Sequence, residues 1–269
     1  QVSQVNLIAC DVTDPEAVRR AVAGADAVIN LVGIRAPRKR QTFKAVHVDA
    51  AATIASAAHE QGCKALVHVS AIGASRTSLS EYGRSKAAGE TAIRDAFPAA
   101  SIIRPSVIFG REDGFFNLFG GLARMLPALP LFGGGKTSFQ PVYVADVADA
   151  VIAALYDPAA NGNDYELGGP KVYSFAELMG LLLHEIRRDR FLVPVPFFIG
   201  DIQATFAGLL PNPPFTRDDM KSLREDNVVA EGSLTLSDLG VSATAAEAIL
   251  PTYVHRYRKG GRLGRNSIS

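Results

Sequence analysis

Short apolar runs alternate with longer segments of helical period through the first half of the chain. Val5-Asn6-Leu7-Ile8-Ala9 reads as a buried strand. It is followed by Asp11-Val12-Thr13-Asp14-Pro15-Glu16, where Thr13 and Glu16 stand at capping-box spacing with Pro15 in the first turn. A helix is predicted to start there and to stop near Gly24. Ala27 to Gly33 predicts a second buried strand, closed by its glycine. A polar, basic loop from Arg35 to Arg40 then leads into a long alanine-rich helix ending about Gly62. Ala65 to Ser70 predicts a third strand. After a loop comes a helix carrying Ser80-Glu81-Tyr82-Gly83-Arg84-Ser85-Lys86, and Ser101 to Arg104 predicts a fourth strand, broken by Pro105. Val- and Ile-rich strands separated by helices of about ten or more residues indicate βαβ units. The fold class is therefore α/β, a Rossmann-type doubly wound parallel sheet with helices on both faces.

Past Gly110 the pattern loosens, with Gly120-Gly121, Gly133-Gly134-Gly135 and several prolines marking connections. Pro141 to Val144 is strand-like, Ala145 to Tyr156 helical, Tyr165 to Leu167 strand-like and Phe175 to Ile186 helical. The chain thus returns to the main sheet, and interleaved domains are expected. Segments 1–112 and 137–157 form the dinucleotide-binding part, and 113–136 with 158–269 form a smaller mixed C-terminal lobe. Phe191 to Pro214 is apolar and punctuated by prolines. It forms either a packed wall of that lobe or a docking surface for another subunit or the membrane interface. The triple glycine at Gly133 reads as a turn.

Composition narrows this modestly. With 48% hydrophobic and 20% charged residues, the 269-residue chain has the balance of a folded protein. A net charge of +1 gives no overall field for nucleic acid. The basic tail His255 to Arg265 is either a solvated end or an anchor to anionic headgroups. Cys10 and Cys63 lack metal-ligand spacing and read as core thiols of a reducing compartment.

The candidate chemistry lies in Tyr82 and Lys86. Four residues apart on a helix, they share one face, one loop after the third strand, where strand C-terminal ends build a ligand crevice. A neighbouring ammonium lowers a phenol's pKa. Such a phenol can pass a proton to a carbonyl while a nicotinamide supplies hydride. The lysine can instead hold a ribose hydroxyl, and two exposed residues on a helix remain the plain alternative.

Several segments carry a resemblance to the extended short-chain dehydrogenase/reductase superfamily, the NAD-dependent epimerase/dehydratase type. They are Asp11–Asp14 (DVTD), Asn30–Gly33 (NLVG), His68–Ser70 (HVS), Tyr82–Lys86 (YGRSK), Arg104–Gly110 (RPSVIFG) and Gln140–Val151 (QPVYVADVADAV). With Gly110–Phe116 (GREDGFF) and a late LGVSAT, the chain more specifically resembles the NAD(P)H-binding accessory subunits of respiratory complex I in their bacterial form.

The resemblance implies a bound NADPH or NADH with a mainly structural or redox-sensing role. It places Asp11 and Val12 beside the adenine, and Leu31, Val32 and Gly33 along the ribose and phosphates. Ser70, Tyr82 and Lys86 would surround the nicotinamide ribose, with Pro105, Ser106 and Val107 facing the nicotinamide. Asp11 as a simple cap, Gly33 as a strand end and Pro105 as a strand breaker are the alternatives. It further implies complex I subunits as partners, no nucleic acid, and a peripheral position on the cytoplasmic face of a bacterial inner membrane, with Phe191–Pro214 and the basic C-terminus touching the membrane surface.

Two departures weigh against turnover. Ile72 stands where active family members carry a reactive hydroxyl, and His47 where they carry Asn; an isoleucine cannot hydrogen-bond a carbonyl. The alternative is an active epimerase/dehydratase or reductase, in which Tyr82, Lys86 and Ser70 are catalytic. The family's glycine fingerprint for the pyrophosphate is found nowhere in the chain. The expectation is therefore a sequence lacking its first two strands and helices, and weak nucleotide binding by this segment alone.

Overall fold

Asp14, rather than Thr13, caps the first helix, α1 (Pro15–Val22). The Asp14 carboxylate accepts the Glu16 N–H at 3.0 Å. Thr13 is held elsewhere, its hydroxyl donating to Asp11 Oδ1 at 2.7 Å. The computed structural model describes residues 4–207, 213 and 215–260 and divides into two units. One comprises the chain up to Ile103 with Val151–Tyr165, the other Arg104–Ala150 with the chain from Glu166.

In the first unit the chain continues through β1 (Ala27–Asn30), α2 (Ala50–Glu60), β2 (Ala65–Val69), α3 (Glu81–Ala96) and β3 (Ser101–Pro105). β2 pairs in parallel with β1 on one side and β3 on the other. The strand Asp164–Leu167 completes the order on the far side of β3. The parallel α/β architecture expected from the alternating pattern is thus observed.

Two of its strands differ from expectation. Val5–Ala9 is not a strand, and its side chains face solvent, Leu7 being 92% exposed. A short apolar run becomes a strand only by bonding to a neighbour, and none lies beside it among the described residues. β1 ends at Asn30, standing at the end of the sheet, so Leu31 is exposed and Ile29 only partly covered.

Val18 and Val22 of α1, Ile54 of α2, Ile93 of α3, Leu66 of β2 and Ile102 of β3 meet in one core. Each such side chain contributes about 1.5–3 kcal/mol on burial. Alanines at 51, 55, 57 and 58 let the helices approach closely. Before α2 the chain makes a π-helical turn, Lys44–Asp49, which the apolar pattern does not announce. Gly89 of α3 packs so tightly on it that a Cβ there would lie 2.1 Å from the His47 carbonyl oxygen. Neither cysteine is bridged; Cys63 is buried and Cys10 half-buried.

The second unit holds β4 (Ile108–Phe109), α4 (Phe115–Met125), β5 (Ala128–Phe132), β6 (Ser138–Phe139) and β7 (Val142–Tyr143), then α5 (Val144–Tyr156), which runs on into the first unit. After the shared strand β8 (Asp164–Leu167) come β9 (Tyr173–Ser174), α6 (Phe175–Glu185), β10 (Phe191–Val195), α7 (Phe197–Ala207), α8 (Arg217–Ser222) and α9 (Ala246–Val254). β4–β7 and β5–β10 are parallel pairs, and β6–β9 is antiparallel.

Phenylalanines 109, 116, 119, 139 and 175 fill the core of this unit with leucines of α6 and α9. Ser174 and Glu177 form a capping box that starts α6. Asp113, in the Gly110–Phe116 segment, accepts the hydroxyl of buried Tyr253 and so ties that corner to α9. The stretch from Phe191 is one strand and one helix with Phe191, Phe198, Ile202 and Phe206 exposed. Residues 208–212 and 214 of that stretch, and 261–265 of the basic tail, lie outside the described residues.

Candidate functional site

Three elements of the first unit bring the central side chains together. Ser80 caps α3 by accepting the Gly83 N–H at 3.0 Å, which fixes where the helix starts and hence which face carries Tyr82 and Lys86. Strand alternation puts His68 and Ser70 on the face of β2 that also carries core residue Leu66. The π-turn projects His47 inward, where it is 2% exposed.

Lys86 is 5% exposed, and its Nζ donates to the Val69 carbonyl oxygen at 3.0 Å. Burial pulls its ammonium down to about 8, partly offset by Glu90 one turn along. A Cβ added at Gly33 would come within 3.4 Å of Nζ and 3.7 Å of His47 Nε2, so Gly33 borders this cluster.

His47 pins the loop that contains Gly33. Its Nε2 accepts the Ile34 N–H at 3.0 Å, so the ring proton resides on Nδ1, which faces Ser85 Oγ at 2.8 Å. Ser85 in turn donates to the Tyr82 carbonyl oxygen at 2.8 Å. Burial, then the charge of Lys86, holds His47 down to about 4, so it is neutral when its Nε2 acts as acceptor.

Tyr82 is half-buried against the rings of His47 and Phe43, with centroids 5.5 and 6.1 Å away. The sequence reading expects its neighbouring ammonium to lower the phenol. Instead burial pushes it up to about 12, because loss of water outweighs any attraction for the phenolate. Tyr82 is therefore a protonated hydrogen-bonding group at neutral pH.

Two polar groups stand out beside Lys86. Ser70 Oγ and both ring nitrogens of His68 are buried without a hydrogen-bond partner. Burial, then Lys86 and His47, holds His68 down to about 3. Buried polar atoms are left unmade at a cost of about 1–3 kcal/mol each, which marks a place built for something besides packing. An orphaned hydroxyl, an ammonium with one of its three donors engaged, and a side-chain-free residue bordering both suit a polyhydroxylated ribose. The residues fit the ribose portion of a nicotinamide dinucleotide.

The other expected cofactor contacts are distributed differently. Asp11 is exposed and accepts from the hydroxyl and N–H of Thr13, which hold its carboxyl below the usual range; Val12 is half-buried beside it. Leu31 is exposed, while Val32 packs on the core and donates its N–H to Asn30 Oδ1 at 3.0 Å. Pro105, Ser106 and Val107 belong to the second unit or its border strand. There the Ser106 hydroxyl and the Val107 N–H both donate to Asn227 Oδ1, at 2.7 and 3.0 Å. Ile72 is buried, 8% exposed.

In the sequence His47 stands out only as a departure, and His68 and Ser85 appear only within the HVS and YGRSK segments, with no role of their own. The i, i+2 relation of His68 to Ser70 was the available signal; for the Ser85 bond there was none. No group of His, Cys, Asp or Glu among the described residues is arranged to hold a metal ion.

Known proteins resemble this chain in sequence and in fold. The model of the "NAD dependent epimerase/dehydratase family" matches residues 1–168. NADH dehydrogenase (ubiquinone) 1 alpha subcomplex subunit 9, mitochondrial, of Mus musculus is 36% identical over 259 residues, covering 96% of this chain and 68% of the relative. The subunit of the same name from Arabidopsis thaliana is 35% identical, over 97% of this chain and 67% of its own length. The chain thus spans about two thirds of these relatives, 68% and 67%. Among solved structures, a dTDP-glucose 4,6-dehydratase double mutant from Streptomyces venezuelae, with NAD and DAU bound, shares the fold. Its TM-score is 0.65 at 19% identity, covering 92% of this chain and 77% of that one.

Proposed function

We propose that this chain, which belongs to the NAD dependent epimerase/dehydratase family, is an accessory subunit of NADH:ubiquinone oxidoreductase that holds NADPH or NADH without turning over a substrate. The observation that carries this reading is Lys86, buried and fixed on the Val69 carbonyl beside Gly33, with a tyrosine one turn away that stays protonated. That arrangement is suited to gripping a ribose. An acid–base pair would need a phenol nearer neutrality.

When bound, the dinucleotide supplies a redox-active ring. Lys86 donates to ribose hydroxyls, Ser70 Oγ completes the polar contact, and His47 keeps the Gly33–Ile34 backbone in place. Ile72, where a reactive hydroxyl is expected of active members, agrees with holding rather than chemistry. Asp11, Val12, Leu31 and Val32 are proposed to border the rest of the cofactor.

The subunit sits peripherally, on the cytoplasmic face of a bacterial inner membrane, equivalent to the mitochondrial matrix side. No described helix is long and apolar enough to cross a membrane. Contact with the membrane surface is assigned to Phe191–Pro214 and the basic C-terminus, supported by the exposed Phe191, Phe198 and Phe206.

The test compares Lys86→Met with Tyr82→Phe in the assembled respiratory complex, reading the NADPH retained after gel filtration. Loss of a charged hydrogen bond, about 1.5–3 kcal/mol, lowers retention by about ten- to a hundredfold for Lys86→Met. Tyr82→Phe leaves assembly unchanged. A carbonyl reductase activity that Tyr82→Phe abolishes would establish the active enzyme instead.

A further inference from the structure

We propose that an open cleft of about 560 Å³ at the C-terminal end of α6 binds the phosphate of an anionic phospholipid headgroup. It is lined by His184, Arg187, Arg188, Asp189, Arg190 and Phe191, where the chain turns from α6 into β10. The inference rests on the membrane-surface contact proposed above and names its site and ligand. It is independent of the nucleotide.

Two of the arginines are fastened by uncharged groups. Arg188 Nε donates to the Tyr257 carbonyl oxygen at 2.6 Å. Arg190 Nε donates to the Ala123 carbonyl oxygen at 2.8 Å, and its Nη1 to the Asp189 carbonyl oxygen at 2.8 Å. These bonds orient the guanidinium groups without neutralising them. Arg187, at φ 51°, is exposed, and Arg124 of α4 adds its charge nearby. Among the described residues no carboxylate forms an ion pair with any of these four arginines.

The adjacent acid, Glu185, faces Arg258 Nη2 at 3.8 Å and His184 Nδ1 at 3.3 Å, leaving Asp189 as the carboxylate of the lining. Burial, then the like charges of Arg190 and Arg124, holds the Arg188 guanidinium below its ordinary range. The C-terminal dipole of α6 accounts for about half a positive charge. Four arginines exceed that, and guanidinium forks match phosphate oxygens in pairs.

The surroundings favour a lipid over a soluble phosphate. Phe191, at the cleft, is 78% exposed, and Val193 follows it on β10 at 44%. On α7, Phe198, Ile202 and Phe206 are exposed as well. Apolar side chains beside a cationic cleft suit the boundary between headgroups and acyl chains.

The experiment is flotation of the full chain with phosphatidylcholine vesicles, with and without phosphatidic acid. Arg124→Gln and Arg187→Gln both alter exposed side chains, and Arg20→Gln serves as the charge control. Vesicles containing phosphatidic acid are expected to retain the protein, salt-sensitively, with about fivefold weaker binding for each of Arg124 and Arg187 removed. Arg20→Gln should match the wild type, and thermal melts should remain unchanged. If Arg124→Gln and Arg187→Gln bind like the wild type, or if both vesicle types bind equally, the cleft is not the site, although the membrane contact stands. If neither vesicle type binds, both proposals fall. Tight binding of glycerol 3-phosphate without vesicle retention would make the ligand soluble and overturn the lipid assignment.

Discussion

His47 shows how a single residue sets the character of the site. Its neutral ring accepts a backbone N–H and directs its proton to Ser85, which links the Gly33 loop to the helix that carries Lys86. The same burial makes the site acid-sensitive. His47 and His68 fall from the ordinary 6.5 to about 4 and about 3 in the folded protein. Below pH 6.5 the unfolded chain binds protons that the folded one refuses, so stability is full above that value and declines as pH falls through about 4 toward about 3. Urea denaturation across that range should show the decline, and His47→Asn should make it shallower; an identical slope would remove His47 from the account. His47 was visible in the sequence only as an oddity, because the bond to Ile34 depends on a turn that brings the two side by side.

At the scale of elements, α3 is the best anticipated piece. Its place after the third strand and the shared face of Tyr82 and Lys86 follow from local chemistry, while the cap at Ser80 and the start at Glu81 are read only in the structure. The π-turn before α2 is the least anticipated, since the alanine-rich run reads as one continuous helix. Gly89 reports how these elements lock together. Gly89→Ala would place a Cβ 2.1 Å from the His47 carbonyl oxygen, on backbone that has little room to yield. Overpacking of this kind costs about 1–3 kcal/mol. The expected outcome is a lowered denaturation midpoint together with weakened NADPH retention, because the displaced turn carries His47. A midpoint equal to wild type would show that α3 and the turn are not tightly packed.

For the molecule as a whole, the two units have separate cores, one of small aliphatics and one rich in phenylalanine. The exposed phenylalanines of the second unit are the feature that a free-standing domain has least reason to keep. Phe198→Asp with Phe206→Asp changes side chains that are 63% and 68% exposed, so the melting temperature should hold within a few degrees. Recovery of the subunit with the membrane fraction should fall severalfold. Unchanged recovery would return this face to ordinary surface.

The alternation of strand and helix, the parallel sheet and the position of Tyr82 and Lys86 on one helical face are local or periodic properties, and the residue order carried them unaided. Three-dimensional packing settled the rest. It left Val5–Ala9 exposed, since strand formation needs a hydrogen-bonding neighbour that periodicity cannot supply. It raised the Tyr82 phenol where proximity of charge argued for lowering it, since desolvation depends on what surrounds a group in space. And it gathered Arg124 with Arg187, Arg188 and Arg190, residues from α4 and the end of α6, because charge adds over distance rather than along the chain.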